Sequence, residues 1–272
     1  AYESEDGGAT WQRVSLPSGA AGLVIDPAST AHRLAGGPNL LESLDGGKTW
    51  HATRTQPPGP GPFTPLAINP TDSGVWFVAA HAALQRTRDS AVSWRSMTGL
   101  PPIGTGSIVL PFPSGDRFFL AVSGRVFDLV DNGNRITERK ALATGITLTQ
   151  LALSGAAPSL LGLGSDGNLY RDPGSGWSLV GPGGPVAGSS TGRAWFSAGG
   201  GRLNELGVLY VSDDSGAAWV KADGSPPDQT LDAIVPLDQG GTSVLAYGFG
   251  GDVFASSDGG HTWQTLSSGL RS

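Results

Sequence analysis

Carboxylates outside any repeated motif are the residues of this sequence with the clearest catalytic potential. Two carboxyl groups held about 5–10 Å apart can hydrolyse a glycosidic bond, one as an acid and the other as a nucleophile or base. The strand pattern described below places five such acids on one expected face: Asp166, Glu205, Asp228, Asp232 and Asp252. The sequence does not pair any two of them. A catalytic pair therefore stays an open alternative, and we predict no catalytic residue.

Metal and cofactor chemistry find no support in the residue pattern. Cysteine is absent, and no two of the histidines have the spacing of zinc ligands. The histidines are His32, His51, His81 and His261. The Gly199–Gly201 run precedes no helical pattern, so it does not indicate a phosphate-binding loop. We expect no metal and no cofactor.

A motif of the form Asp-x-Gly-x-x-Trp recurs along the whole chain. It is clearest at Ser4–Trp11, Ser43–Trp50 and Ser256–Trp263, and it loses its Trp altogether at Leu129–Ile136. Successive aspartates are 39 to 44 residues apart. Such a period matches the roughly 40–50-residue repeat of a four-stranded propeller blade. The motif residues are Asp6, Trp11, Asp45, Trp50, Asp89, Trp94, Asp131, Asp172, Trp177, Asp214, Trp219, Asp258 and Trp263.

Each position of this motif has a physical role in a tight turn. The Asp carboxylate can accept hydrogen bonds from backbone N–H groups of its own turn. Glycine supplies a positive φ where a Cβ would clash, and the Ser or Thr hydroxyl can satisfy another turn group. Trp buries a large apolar surface against the neighbouring strands. We therefore interpret the motif as a folding clip.

Four short strands, here called A to D, fit into each period, with the motif at the C–D turn. No segment shows sustained helical periodicity. The predicted fold is all-β, a single β-propeller of four-stranded antiparallel blades over 1–272. The chain begins in strand C, so seven C–D hairpins meet only six A–B pairs; an upstream pair or a partial first blade would explain this. Seven blade positions are favoured over six, with boundaries near 1–14, 21–54, 64–97, 105–140, 146–180, 184–222 and 229–267.

These repeats resemble the Asp-box, or BNR, family of β-propellers. Its members include sialidases, xyloglucanase-type glycoside hydrolases, sortilin-type receptors and photosystem II assembly-factor-like propellers. The strand followed by Asp26-Pro27 or Asn69-Pro70 is most similar to the assembly-factor-like and xyloglucanase-like branches. The resemblance implies that the box is a structural turn remote from the functional face.

The resemblance also sets requirements that bear on enzyme activity. A sialidase would need three clustered arginines, a Tyr–Glu pair and an Arg-Ile-Pro motif, and that motif is absent. Of the four tyrosines, only Tyr247 is expected to face the channel, since Tyr2, Tyr170 and Tyr210 lie beside boxes. Xyloglucanase-type enzymes use two tandem propellers around a cleft, whereas this chain has room for one.

The functional face of such propellers is formed by the D–A and B–C loops, which we call the loop face. The D–A loops include 57–65, 100–106 and 224–230, and their Pro and Gly content suits either a cleft rim or a rigid linker. The candidate binding residues on the B–C loops are Asn39, His81, Arg125, Asp166, Arg202, Asn204, Glu205, Tyr247, Phe249 and Asp252.

The composition limits the classes of partner that we expect for this protein. The net charge is −6, and the longest basic run is Arg139-Lys140, so nucleic acid and anionic membranes are not expected partners. No apolar stretch is long enough to span a membrane. We therefore predict a non-enzymatic binding or assembly scaffold for a protein or glycan, with a glycoside hydrolase as the alternative. The resemblance further implies an extracytoplasmic location, secreted or periplasmic.

Overall fold

The structure is a computed structural model that describes residues 2–4, 10–104, 108–111, 117–130, 135–138, 146–155, 159–198, 208–223, 230–238, 240–248 and 251–267. These residues form 26 β-strands and no helix, as the sequence predicts. The strands are arranged in six four-stranded sheets and one two-stranded sheet, all antiparallel and in chain order. The chain divides into two compact units: 1–3 with 12–139, and 4–11 with 140–272.

Unit 1 contains four sheets. Sheet 1 pairs β1 (Tyr2–Glu3) with β2 (Gln12–Arg13). Sheet 2 consists of β3 (Gly22–Asp26), β4 (Ser29–Gly36), β5 (Leu41–Ser43) and β6 (His51–Ala52). Sheet 3 consists of β7 (Phe63–Asn69), β8 (Asp72–Ala80), β9 (Ala83–Thr87) and β10 (Arg95–Met97). Sheet 4 consists of β11 (Ile108–Pro111), β12 (Arg117–Val122), β13 (Arg125–Val130) and β14 (Arg135–Glu138).

Unit 2 contains three sheets. Sheet 5 consists of β15 (Leu148–Ser154), β16 (Ser159–Gly164), β17 (Asn168–Asp172) and β18 (Ser178–Pro182). Sheet 6 consists of β19 (Val186–Gly188), β20 (Ala194–Ala198), β21 (Val208–Ser212) and β22 (Val220–Lys221). Sheet 7 consists of β23 (Leu231–Pro236), β24 (Val244–Gly248), β25 (Val253–Ser256) and β26 (Gln264–Ser267).

Apolar side chains fill the space between consecutive sheets of each unit. In unit 1, Phe77 of sheet 3 lies 4.4 Å from Phe118 of sheet 4, measured between ring centroids, and both are buried. In unit 2, Trp195 of sheet 6 packs with Ile234 and Phe254 of sheet 7. The alternation of side chains along a strand sends one set towards each neighbouring sheet. Burial of these faces supplies the main driving force for stacking the sheets.

Close backbone approach between sheets explains part of the high glycine content. A Cβ added to Gly36 at the end of β4 would lie 2.2 Å from the carbonyl oxygen of Phe63 at the start of β7. No side chain fits at that separation, so only glycine lets the inner strands of sheets 2 and 3 come this close. The glycine at the end of β4 therefore has a packing reason.

The turn between β8 and β9 is a tight two-residue hairpin. Ala80 pairs with Ala83, and the two residues between them, His81 and Ala82, have φ values of 48° and 59°. Two successive positive φ angles are typical of a type I′ turn, whose twist matches that of the flanking strands. This geometry holds His81 at the tip of the turn.

No helix among the described residues is long and apolar enough to cross a membrane.

Candidate functional site

The Asp-x-Gly-x-x-Trp motifs form hydrogen-bonded C–D turns. In sheet 2, Ser43 Oγ donates to Asp45 Oδ1 at 2.8 Å, and the Thr49 backbone N–H donates to the same oxygen at 2.9 Å. The Thr49 hydroxyl donates to Asp45 Oδ2 at 2.6 Å, and Trp50 Nε1 donates to the Gly47 carbonyl at 3.0 Å. Both carboxylate oxygens are thus occupied within the turn itself.

The turn centred on Asp258 in sheet 7 repeats this arrangement. Its carboxylate accepts from Ser256 Oγ at 2.8 Å, and from the N–H and hydroxyl of Thr262 at 2.8 and 2.6 Å. Similar contacts surround Asp89 and Asp214, and Asp172 accepts from the backbone N–H groups of Gly174 and Gly176. Asp6 and Asp131 lie outside the described residues.

These hydrogen bonds lower the pKa and keep the carboxyl ionised at four of the boxes: Asp45, Asp89, Asp214 and Asp258. The side-chain and backbone hydrogen bonds of Ser93, with that of Thr87, lower the pKa of Asp89 to about 2. Hydrogen bonds from Thr49 and from Thr262 hold the pKa values of Asp45 and Asp258 well below the ordinary range. A carboxyl with so low a pKa cannot act as a general acid near neutral pH. The geometry suits a turn clip and not an acid catalyst.

Replacement of Asp258 by alanine is expected to lower the free energy of unfolding by about 1–2 kcal/mol. The Ser256 hydroxyl and the Thr262 N–H and hydroxyl would lose their shared acceptor, and the exposure of the turn limits the cost because water can replace some of these bonds. Urea denaturation measures the change. Ser257→Ala, at the exposed neighbouring position, is the control, and equal midpoints for both variants would contradict the clip.

The B–C turns of unit 1 carry the predicted residues of its loop face. Asn39 lies between β4 and β5, His81 at the tip of the β8–β9 turn, and Arg125 at the first position of β13. All three are exposed. The Arg125 guanidinium lies 4.9 Å from the centroid of the Phe127 ring, in cation–π geometry. Each residue is therefore held at a turn and accessible from outside the sheet.

The Pro-rich segment 57–62 lies against these turns. A Cβ built at Gly59 would be 3.3 Å from the His81 Cβ, and one at Gly61 would be 2.7 Å from the Pro38 carbonyl oxygen. The Phe63 N–H donates to the Gly37 carbonyl at 2.8 Å. The segment is therefore a fixed part of the loop face of unit 1, since it fits closely against both turns.

Two further contacts fix the same edge of unit 1. The Gln56 side chain accepts from the Leu40 N–H at 2.7 Å and donates to the Leu40 carbonyl at 3.0 Å. The Ile103 N–H donates to the Ala82 carbonyl at 2.8 Å, and the Ile103 side chain is buried against the core between sheets 3 and 4. The D–A segments 56–63 and 100–103 are thus anchored on neighbouring B–C turns, as expected of loops that share one face.

Unit 2 presents a second group of predicted residues. Asp166 lies in the β16–β17 turn and accepts from Asn168 Nδ2 at 2.8 Å and from the Tyr170 hydroxyl at 2.7 Å. Tyr247 lies in β24, with 39 % of its surface exposed, and Asp252 lies in the following turn. The remaining predicted residues of this group lie outside the described part: Arg202, Asn204, Glu205 and Phe249.

The ionisation states in unit 2 bear on the hydrolase alternative. Burial would raise the pKa of Asp166, but hydrogen bonds from Asn168 and Tyr170 outweigh that effect and lower it. Burial and the adjacent Asp166 raise the pKa of Tyr170, which makes its phenol a poorer nucleophile. A glycosidase acid needs a raised pKa, and Asp166 has the opposite shift. Asp232 lies exposed in β23, and Asp228 falls outside the described residues.

Sheet 3 carries a basic cluster that is not visible as a run of charges in the sequence. Arg86 of β9 is the cross-strand partner of Arg95 of β10, and Arg88 follows β9 directly. Burial, together with the charges of Arg88 and Arg95, lowers the pKa of Arg86 to about 10. The three arginines are separated along the chain, and strand pairing brings their charges within interaction distance.

An Asp–His–Glu cluster in sheet 2 was also missed by the sequence reading. His32 Nδ1 lies 2.8 Å from Asp26 Oδ2, and His32 Nε2 lies 3.1 Å from Glu42 Oε1. The imidazole stands between the two carboxylates, so the three groups do not surround a common point. Within the described ranges, no group of three His, Asp or Glu side chains is arranged to hold a metal ion.

Comparison with known proteins identifies the architecture. No family model matches the sequence. The chain is similar to a solved structure of YCF48 bound to D1 peptide, with a TM-score of 0.67, 18 % identity, and coverage of 93 % of this chain and 84 % of that one. It is also similar to the GH74 xyloglucanase from Xanthomonas campestris, with a TM-score of 0.72, 17 % identity, and coverage of 99 % and 51 %.

The fold is a β-propeller. Its four-stranded antiparallel sheets are the blades, and this confirms the predicted architecture. Among curated proteins, a xyloglucanase from Hypocrea jecorina (strain QM6a) is 25 % identical over 225 residues, which is 78 % of this chain and 26 % of that enzyme. The chain thus spans about a quarter of the curated relative and about half of the Xanthomonas enzyme. The propeller resemblance inferred from the boxes agrees with both groups of neighbours.

Proposed function

We propose that this propeller is a non-enzymatic scaffold that binds a protein partner on its loop face. The observation that carries the proposal is the build of that face in unit 1. Asn39 and His81 are exposed on turns, and the Pro-rich segment 57–62 is packed against those turns. A surface ordered before binding loses little conformational entropy when a partner docks, so it binds more tightly.

Two further observations support binding of a protein ligand rather than catalysis. The described acid Asp166 has the low pKa that its own turn imposes, which does not suit a general acid. A solved propeller with similar architecture over most of its length holds a peptide, and that precedent supports peptide capture here. The proposal includes seven blade positions, with sheet 1 as part of the first blade, and an extracytoplasmic location.

A glycan ligand, or glycoside hydrolysis, is the second candidate. The similarity to a curated xyloglucanase over 78 % of this chain favours it. Incubation of the purified protein with tamarind xyloglucan, followed by reducing-end analysis, separates the two functions. Release of oligosaccharides by the wild type would support the hydrolase and contradict the scaffold. A glycan array with the same protein tests binding without hydrolysis.

Loss of loop-face side chains is expected to weaken peptide binding. A phage-displayed library of random dodecapeptides panned on the wild type should yield binders, and His81→Ala with Asn39→Ala should weaken them about tenfold or more because both side chains leave the proposed surface. His51→Ala is the matched control, since His51 is exposed on β6 and away from the B–C turns.

The same panning also gives the contrary results. Binders that tolerate the double variant but not His51→Ala would place the binding surface elsewhere. A library that yields no binder, combined with a positive glycan array, would replace the protein partner by a glycan. Circular dichroism melting of each variant verifies that the sheets remain folded.

A further inference from the structure

An open cavity of about 480 Å³, lined mainly by polar residues, lies at the edge of unit 1 that carries the A–B and C–D turns. This edge is opposite to the B–C turns, so the cavity is independent of the proposed function. Sheet 2 contributes the Asp26–His32–Glu42 cluster and Arg54, and sheet 3 contributes Ser73, Gly74 and Ser90. The two sheets therefore form its walls jointly.

The inner wall of the cavity is rigid because its charges are already engaged. Asp26 has no exposed side-chain surface, and its carboxylate accepts from the Ala28 N–H at 2.8 Å and contacts His32. The His32 ring is nine-tenths buried and lies 5.5 Å from the Trp76 ring, between centroids. The Nε2 atom of His32 faces Glu42, but it has no well-aligned hydrogen bond among the described residues.

The outer wall carries charges of opposite sign that do not pair with each other. The Glu42 side chain is 22 % exposed and contacts His32. Arg54 is exposed and forms no ion pair with a described residue. A carboxylate and a guanidinium that line one cavity without meeting leave room for a ligand between them. The strongest binding is expected from a ligand that places an ammonium group against Glu42 and a carboxylate against Arg54.

We propose that this cavity binds a compact zwitterion of the α-amino acid class. The ammonium group lies against Glu42, which is partly exposed. The carboxylate lies against Arg54, where the hydroxyls of Ser29 and Ser90 line the same cavity. Leu44, which is 71 % exposed at the rim, offers an apolar contact for a side chain. The volume is within the range of small-molecule sites.

Calorimetric titration with glycine, L-alanine and L-leucine tests the proposal. We expect saturable binding with a dissociation constant of about 1 mM or below for at least one of them. For that amino acid, the N-acetyl derivative and the amide should each bind about tenfold more weakly, because each removes one charge. No binding of any of the three, or equal binding of either singly charged derivative, would overturn the assignment.

Two further ligands distinguish a free amino acid from a peptide or a sugar as the occupant of the cavity. The tripeptide Leu-Gly-Gly carries both charges but holds them too far apart, so it should bind more weakly than L-leucine. D-glucose carries hydroxyls and no charge, so it should not bind. Tighter binding of the tripeptide would assign the cavity to a peptide, and tighter binding of glucose would assign it to a sugar; both results contradict the proposal.

Variants locate the site. Glu42→Gln and Arg54→Gln should each weaken binding about tenfold. Arg13→Gln is the matched control, because Arg13 is an exposed arginine of β2 that does not line the cavity. Binding that survives both cavity substitutions would place the ligand elsewhere. Because Glu42 also contacts His32, thermal melting accompanies each titration. Arg54 forms no ion pair with a described residue, so Arg54→Gln keeps the test valid if Glu42→Gln is unstable.

Discussion

Replacement of Trp195 by alanine is expected to lower the free energy of unfolding by about 3–5 kcal/mol. The Trp195 side chain has no exposed surface and packs between sheets 6 and 7. Its Nε1 donates to the Gly259 carbonyl at 3.0 Å, within the C–D turn of sheet 7. The substitution therefore creates a cavity and also leaves a carbonyl of the next turn without its donor.

Two companion variants separate these contributions in urea denaturation. Trp195→Phe keeps most of the apolar volume but removes the N–H group, so a loss of about 1–2 kcal/mol is expected. Val220→Ala is the control, because Val220 is 71 % exposed on the neighbouring β22 and should change stability by less than about 0.5 kcal/mol. A Trp195→Ala loss no greater than that of the control would show that the two sheets do not depend on this contact.

Disruption of the Asp26–His32 pair is also expected to lower the free energy of unfolding strongly. Asp26→Asn is expected to lower the free energy of unfolding by about 3–5 kcal/mol, because the buried His32 loses the closer of its two carboxylate partners. Asp26 and His32 lie on adjacent strands at the turn between β3 and β4, so the loss should loosen that turn. Urea denaturation at pH 5.5 measures the change, and Asp72→Asn, at an exposed site in β8, is the matched control.

The pH dependence of this pair follows from the directions of the two pKa shifts. The Glu42 contact raises the pKa of His32 above 6.5, burial opposes this, and Asp26 adds to the rise. Folding therefore favours protonated His32, and the stability it contributes is complete below pH 6.5 and lost as the pH rises through the folded-state pKa.

At acid pH, the contribution of Asp26 to stability depends on pH in the opposite direction. Burial would raise the pKa of Asp26, but hydrogen bonds from Ser73 and His32 lower it below 3.8. Its contribution is present above pH 3.8 and lost as the pH falls through the folded-state pKa. The stability difference between wild type and His32→Gln should thus be greatest between pH 3.8 and 6.5. A difference that stays constant from pH 3 to 9 would contradict the charged pair.

Local patterning was sufficient to predict the sheets and their turns. Ser43, Asp45 and Thr49 lie within one turn, so their hydrogen bonds depend on short-range geometry that the motif already encodes. The same holds for His81, since a B–C turn between two alternating strands has to project its tip residues. The predicted all-β propeller was confirmed for this reason, while the blade count of seven stays a prediction.

The basic cluster and the Asp–His–Glu cluster depended on pairing between strands. Arg86 and Arg95 are nine residues apart, and only the register of β9 with β10 sets them opposite each other. Glu42 reaches His32 because β5 lies beside β4, and the nearby cavity closes only when sheet 3 packs on sheet 2. A one-residue change of register would move these side chains to the other face, although the hydrophobic pattern within each strand would be unchanged.

The sequence by itself determined the repeat, the strand order and the chemistry of the box turns, because each of these rests on contacts within about a dozen residues along the chain. The tertiary structure alone decided which charges meet. Arg54 and Ser90 line one cavity although they come from different sheets. Likewise, Trp195 of sheet 6 donates to the Gly259 carbonyl in a turn of sheet 7. Their geometry follows from how the sheets pack, which no local pattern specifies.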